Sequence, residues 1–344
     1  MIILNMGLLS SASTWVSNVI RKLMAEYTDK QLLLGFADSL STFPHYSGQS
    51  DVNMMMKVHS PSKDLALLTA TNASKTIMTL RDPRDCIASL MQRFHRSFEQ
   101  AYADTAISLA HLDAIPVENA LLLRYEERFF EKEETIVMIA KFLGLHCTPQ
   151  FAAQIAHEFS IEKVKELTKS IPDLPARAVR QRVDSMVHKS TGFHTNHITD
   201  ARSGKYKELL TPQQVEHIEG TLGPSFARYG YVCEHDTIAP TSFSTTDLGV
   251  ATDGTIAMKR SLTGGCAVFG PYVVLAKGPW TATFATDSDC AVDVAAGGET
   301  LASGNSKSPV DFKIEAVGQG VEFRTYSMAT KENTFRGVKL SRSR

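Results

Sequence analysis

The chain lacks most of the features that would assign it at a glance. Its five cysteines, Cys86, Cys147, Cys233, Cys266 and Cys290, lie far apart with no CxxC spacing. That argues against a zinc knuckle or a disulfide frame and reads as free thiols in a reducing compartment. Charge of either sign is not in surplus: the formal net charge is −1. No whole-chain field calls for nucleic acid, so any basic site must be local. No apolar run has the length of a membrane-spanning helix. A basic segment ahead of the apolar N-terminus is missing too, so the residues before Ser10-Ser11-Ala12-Ser13 do not read as a cleaved leader. The chain is expected in the cytoplasm. The nucleoside-triphosphate loop Gly-x-x-x-x-Gly-Lys-Ser/Thr is absent as well. Gly7 is followed five residues on by Ala12 and then Ser13, with no lysine to hold terminal phosphates. This argues against a kinase or ATPase. There is no internal repeat and no low-complexity tract.

What is present suits two domains: 344 residues, 43% of them hydrophobic. From residue 1 to about 235 strand and helix patterns alternate. Candidate strands are Ile2–Met6, Gln31–Phe36, Val52–Val58, Thr76–Leu80 and Ala120–Arg124. Several are unbroken apolar runs, as expected when both faces of a parallel sheet are covered. Helical patterns lie at 15–27, 83–96, 127–143, 150–158 and 211–228, and the one at 127–143 stops at Gly144. Thr211, Pro212 and Gln214 form a helix start. The fold class is therefore α/β with a parallel sheet flanked by helices. Residues 236–247 turn Ser/Thr-rich and polar, as linkers do. Beyond them the short strands Tyr272–Ala276, Trp280–Thr286, Ala291–Ala295, Val310–Ala316, Val321–Ser327 and Phe335–Leu340 predict an all-β sandwich over 248–344. A cut near Pro240 is expected to separate the two.

The chain is organised around Leu4 to Trp15. Ile2, Ile3 and Leu4 read as a buried strand, and Trp15, Val19, Ile20 and Leu23 as a helix face. A small hydroxyl-rich turn between them makes a phosphate cradle, since loop amides and the positive helix end point at one anion. Ser13, Thr14 and Trp15 add two hydroxyls and an aromatic face. Lys57 and His59 stand two apart at the end of the third strand, so their side chains leave one face together. A cation beside an imidazole keeps it neutral near pH 7, as a base for a hydroxyl requires; the plain alternative is a surface lysine and a structural histidine. Arg81 sits at a strand tip, Asp82, Pro83 and Asp85 open a helix, and Ser89 lies about two turns in. Arg81 and Ser89 can hold a phosphate, unless Arg81 is taken by Asp82 or Asp85. Tyr125 suits a ring contact or an interface.

Among the remaining candidates, His194-x-x-His197 is a pair without a third metal ligand, with His188 nearby. Arg177, Arg180, Arg182 and Lys189 line a mobile lid, a solvated face or a site for an anionic acceptor. Trp280, Tyr272 and Tyr326 belong to a sandwich core or stack on sugar rings.

Residues 1–235 resemble the sulfotransferases that use 3′-phosphoadenosine 5′-phosphosulfate (PAPS), whose fold is a P-loop-like parallel sheet. Their loop reads Pro-Lys-Ser-Gly-Thr-Thr-Trp; here Ser11, Thr14 and Trp15 agree, while Leu9, Ser10 and Ala12 replace Pro, Lys and Gly, and Ser13 replaces a Thr. Met56-Lys57-Val58-His59-Ser60-Pro61 resembles Lys-Thr-His-Leu-Pro. The resemblance implies His59 as base and Lys57 as the group that neutralises the transferring sulfuryl. Arg81 and Ser89 keep the spacing of Arg-(Asn/Asp)-Pro-(Lys/Arg)-Asp…Ser, which implies a 3′-phosphate site. Tyr125 resembles the tyrosine that meets the adenine. Asp200 to Lys207 resembles Arg-Lys-Gly-x-x-Gly-Asp-Trp-Lys, with Gly204 and Lys207 agreeing and Arg202 able to stand in for the missing leading cation beside Ser203. The implied activity is sulfuryl transfer from PAPS as co-substrate to an acceptor hydroxyl, with no metal in the scheme. An appended sandwich favours a saccharide or polysaccharide acceptor by fold-level analogy. The alternatives are a small-molecule sulfotransferase and a catalytically degenerate PAP- and glycan-binding protein, the latter motivated by Ser10.

Overall fold

Unbroken apolar runs become the interior of a parallel sheet. The structure, a computed structural model, describes every residue except 44–50, 183–184, 196, 234–236, 317–318 and 343–344. It divides into two compact units, Met1–Leu209 and Leu210–Arg344.

In the first unit, β1 (Ile2–Gly7), β2 (Leu32–Phe36), β3 (Asn53–Val58), β4 (Lys75–Leu80) and β5 (Ala120–Arg124) pair in parallel in the order β2-β3-β1-β4-β5. Around them lie α1 (Ser13–Tyr27), α2 (Lys63–Ala70), α3 (Pro83–Phe94), α4 (Phe98–Asp113), α5 (Glu133–Phe142), α6 (Pro149–Glu158), α7 (Ile161–Ser170) and the short α8 (Tyr206–Leu209). A hairpin of β6 (Val179–Gln181) and β7 (Met186–His188) completes the unit. The α1 face predicted from sequence is buried: Trp15, Val19, Ile20 and Leu23 share a core with Ile3, Ile77 and Ile139. Because β1 sits between β3 and β4, the carboxyl ends of β3, β1, β4 and β5 stand side by side. Ligands bind to such sheets along that edge, where strand order reverses.

Helix boundaries depart from the sequence reading in two places. The pattern at 127–143 is helical only over Glu133–Phe142, because Tyr125–Glu127 and Phe129–Glu131 turn as separate short 3-10 segments around Arg128 at φ 53°. Gly144 does end it, at φ 77°. The single helix expected at 211–228 is two, α9 (Pro212–Thr221) and α10 (Gly223–Tyr229), since Pro224 interrupts amide bonding. A side chain at Gly223 would stand 2.3 Å from the Pro271 carbonyl oxygen, so only glycine allows that approach. Helices α2, α4 and α7 had no counterpart in the sequence reading: the apolar faces of α2 and α4 are weak, whereas α7 carries Ile161, Val164 and Leu167 at helical spacing.

The second unit contains α9, α10 and two six-stranded antiparallel sheets. One runs Gly249–Thr252, Thr255–Met258, Asn333–Arg342, Gly278–Thr286, Val310–Ile314, with Thr237–Ile238 also pairing Asn333–Arg342; the other runs Glu299–Asn305, Ala291–Ala296, Gly320–Tyr326, Cys266–Phe269, Ser244–Thr245, with Pro271–Val274 also pairing Gly320–Tyr326. Burial alternates along Val310–Ile314 and Gly320–Tyr326, one face in and one out. Phe284 and Phe312 of the first sheet meet Phe323 of the second at ring distances of 6.3 and 6.1 Å, which makes a sandwich core. All six predicted strands are present, and among the described residues six more, most of them short, join them. The stretch expected as a linker is built into this unit from Thr237 on: Thr237–Ile238 pairs with Val338–Lys339, and Ser244–Thr245 with Val268–Phe269. Among the described residues no helix is long and apolar enough to cross a membrane, and the five cysteines form no disulfide.

A chain ending at Ala239 loses the strands Pro271–Val274 and Gly320–Tyr326, against which α10 packs. Uncovering Phe226 and Tyr229 forfeits about 1.5–3 kcal/mol for each ring. The 1–239 fragment should bind a hydrophobic dye and aggregate on a sizing column, where the full chain does not. A fragment that melts as cooperatively as the full chain would contradict this division.

Candidate active site

The loop after β1 is shaped by its backbone before any side chain acts. Ser10 and Ala12 adopt left-handed φ values of 63° and 66°, a conformation that costs a residue with a side chain roughly 1–2 kcal/mol. What holds them there is Ser11, wholly buried, whose hydroxyl bonds the Leu8 carbonyl at 2.5 Å and Thr79 Oγ1 on β4 at 2.7 Å. Gly7 makes room for this staple, since a Cβ there would stand 2.3 Å from Thr79 Oγ1. Ser11 is therefore spent within the loop. The amides of Ser13 and Thr14 open α1 with no acceptor among the described residues, so the helix end presents bare N–H groups.

Loop and neighbouring strand ends enclose a cavity of about 440 Å³. Ser10 to Trp15, Lys57, His59, Arg81, Ser89 and Tyr125 all line it. So do cations from several other elements: Arg93 of α3, Arg96, Arg180 and Arg182, and Lys205. No Asp or Glu is among the described lining residues. Carboxylates stand behind the wall instead: Asp85 lies 3.5 Å from Arg81, Asp200 3.4 Å from Lys205, and Asp104 pairs with Arg96. A cavity walled by cations, amides and hydroxyls selects a polyanion.

Lys57 donates to Thr14 Oγ1. Burial holds its ammonium down to about 7, and repulsion from Arg93 and Arg182 adds to this. His59 places Nδ1 2.5 Å from the Gly7 carbonyl. A carbonyl only accepts, so Nδ1 carries the proton and Nε2 keeps its lone pair. Burial first, then Lys57, push the imidazole down to about 4 against the opposing Gly7 bond. The Ser108 hydroxyl fixes the His59 carbonyl at 2.6 Å, and the Phe36 ring lies 5.7 Å away. His59 is a neutral base with a single free nitrogen.

Arg81 is almost fully buried. Its guanidinium lies 4.0 Å over the Tyr125 ring and donates to the Ser10 carbonyl at 3.2 Å and the Arg202 carbonyl at 2.8 Å. Its Nε has no partner among the described residues, nor has Trp15 Nε1, and both are buried. Two orphaned donors in one cavity mark where a ligand's acceptors belong. The expected competition from Asp85 exists, but Asp85 is shared: it also takes the amides of Gly204 at 2.7 Å and Tyr206 at 3.1 Å. It anchors the 200–206 loop rather than closing a capping box.

That loop departs from the sequence reading. Arg202 is exposed, its side chain held by Asp200 at 2.9 Å and Glu208 at 2.8 and 3.0 Å. Arg202, Ser203 and Gly204 do not line the cavity; Ala201 and Lys205 do. Lys205, buried against Gln92, Thr199 and Asp200, was missed, as was Arg93. The available signal for Arg93 was its place four residues after Ser89 on one helix face. His194 and His197 line the cavity too, while His188, Arg177 and Lys189 do not. Among the described residues no cluster of three His, Cys, Asp or Glu side chains could hold a metal ion.

The sulfotransferase domain family model matches residues 13–230. The chain belongs to the sulfotransferase domain family. No curated protein matches this sulfotransferase. Solved structures similar to it include a mouse sulfotransferase, SULT7A1, complexed with PAP, at 16% identity, covering 65% of this chain and 84% of that one, with a TM-score of 0.45. Retinol dehydratase in a complex with retinol and PAP is similar at 13% identity over 65% and 81% of the two chains, TM-score 0.44.

In this sulfotransferase the His59 ring should titrate near 4 with its proton on Nδ1, as ring nitrogen shifts report. Lys57→Met removes a repelling cation and should raise the value, while burial keeps it below 6.5. A ring titrating at 6.5 in the unaltered chain would place His59 in water.

Proposed function

We propose that the chain transfers a sulfuryl group from PAPS to a hydroxyl. The observation that carries this is His59, a base with Nε2 free, set in a cavity lined by cations and bare amides without a carboxylate. PAPS carries anions at both ends, and the cavity has separate cationic regions to match. Arg81 with Ser89 suits the 3′-phosphate, satisfying the orphaned Arg81 Nε. The Ser13 and Thr14 amides, the Thr14 hydroxyl and Lys57 suit the phosphosulfate. Trp15 and Tyr125 suit the adenine between them.

In the reaction the acceptor oxygen forms a bond to sulfur as the bond from sulfur to the bridging phosphate oxygen breaks. The bond's electron pair leaves with PAP, and the acceptor's proton passes to His59 Nε2. Lys57, whose free ammonium titrates near 7, is raised by the anion beside it and stays charged. The same anion reverses the field on His59 and lifts its basicity toward the working pH. Preorganised donors carry the rate, because little covalent chemistry falls to the protein.

The acceptor has two readings. The appended β unit supports a saccharide or polysaccharide. The aromatic lining of the cavity, Phe36 beside His59 together with Phe94, Phe159 and Phe193, favours a small phenol or alcohol. Comparing kcat/KM for a phenol, a sterol-like alcohol and an oligosaccharide decides between them.

His59→Ala should cut kcat about 10²–10⁴-fold while sparing PAP affinity. Arg81→Ala should weaken PAP by about 1.5–3 kcal/mol and adenosine 5′-phosphosulfate, which has no 3′-phosphate, far less. Turnover that survives His59→Ala unchanged, measured by release of PAP, would remove His59 from the reaction.

A further inference from the structure

Residues Leu8 to Trp15 carry no charged side chain, yet the loop they form faces the group that departs with the bond's electrons. A departing phosphate oxygen gains negative charge as the bond breaks, and the strongest donors to it are cationic. Lys57 reaches the loop from the β3 side, at Thr14. On the other side stands Arg93 of α3. Its Nη1 donates to Ser10 Oγ at 3.2 Å. Its Nη2 lies 3.1 Å from His194 Nε2. His194 Nδ1 donates to the Thr195 carbonyl at 2.9 Å, so Nε2 is the acceptor and the neutral ring orients the guanidinium. Ser10 is thus held twice, its hydroxyl by Arg93 and its carbonyl by Arg81 at 3.2 Å. Arg93 lies within electrostatic reach of Arg81 on one side and of Lys57 on the other. A guanidinium held between two other cations, at the lip of a loop that offers only hydroxyls and amides, is placed for an anion.

Resting on the PAPS reading above, we propose that Arg93 is the cation of the sulfuryl-transfer loop, delivered from helix α3 to the phosphosulfate beside Ser10. Ser10 and His194 hold it in position, and the bound phosphosulfate takes over the Nη1 contact that Ser10 accepts in the open site. Arg81 then serves the 3′ end, Arg93 the 5′ end, and Lys57 the sulfuryl group itself.

The test uses the full chain with four ligands: PAPS, PAP, adenosine 5′-phosphosulfate and adenosine 3′-phosphate. Arg93→Met should lower kcat about 10²-fold or more, the loss seen when one preorganised donor is removed from a developing oxyanion. It should weaken adenosine 5′-phosphosulfate about tenfold or more, as expected for a lost charged donor, while adenosine 3′-phosphate binds as before. Adding Ser10→Lys to Arg93→Met should recover most of kcat, because it returns a cation to the same point. Arg93→Lys, which keeps the charge and fills the space, should lose less than Arg93→Met; it decides alone if the Met variant no longer binds adenosine 3′-phosphate. An unchanged kcat, a loss confined to the acceptor KM, or equal losses in the Lys and Met variants would overturn the assignment. A wild-type chain that neither binds PAP nor consumes PAPS would remove the sulfotransferase reading and this one with it. An active wild type with an indifferent Arg93 removes this one alone.

Discussion

The site depends on gathering positive charge in one cavity while keeping carboxylates out of its wall. Like charges in a partly desolvated space repel, and burial makes each ion worse off than in water. Lys57, brought down to about 7, and Arg93, brought down to about 10, register that cost in the open site. The acids that support the cations do so from behind: Asp85 under Arg81, Asp200 beside Lys205, Asp104 on Arg96. A polyanion entering the cavity relieves the repulsion and replaces lost solvation in one step. Affinity and catalysis therefore draw on the same stored imbalance. His59 is part of it, kept unprotonated first by burial and then by Lys57.

The fold serves this by lining up the carboxyl ends of β3, β1, β4 and β5. Each end contributes one function, in spatial order across the sheet: Lys57 with His59, the loop, Arg81, then Tyr125. Gly7, Ser11 and Thr79 tie the loop to β4, so the strained φ values of Ser10 and Ala12 persist without a glycine at either position. Asp85 ties the 200–206 loop to the start of α3 through two amides.

The sheet was legible because its strands are largely apolar runs, and the α1 face because Trp15, Val19, Ile20 and Leu23 follow helical spacing. Helices α2 and α4 were not legible, since apolar residues are spread around them and tertiary packing completes them, while α7 was passed over although Ile161, Val164 and Leu167 follow helical spacing. The polar stretch after residue 236 read as a linker because pairing partners such as Val338 lie about a hundred residues away in sequence. At the site, residues in local motifs were legible: the loop, Lys57 with His59, and Arg81 with Ser89. Lys205 and Arg93 were not, because their roles come from where a turn and a helix carry them. Arg202 misled for the converse reason: its sequence position fits a phosphate, but Asp200 and Glu208 occupy its side chain.

Calorimetric titration of the full chain with PAP at pH 8, repeated in buffers of different ionisation enthalpy, tests the central claim most directly. In the open site Lys57 titrates near 7, so at pH 8 most of the chains hold it neutral. A bound anion raises its pKa, and the complex must then take up close to one proton from the buffer. The account predicts tight binding whose apparent enthalpy changes with the buffer in the direction of uptake, and no such dependence in Lys57→Met. Binding without proton uptake, or with proton release, would contradict a site in which burial and neighbouring cations hold Lys57 down until an anion enters.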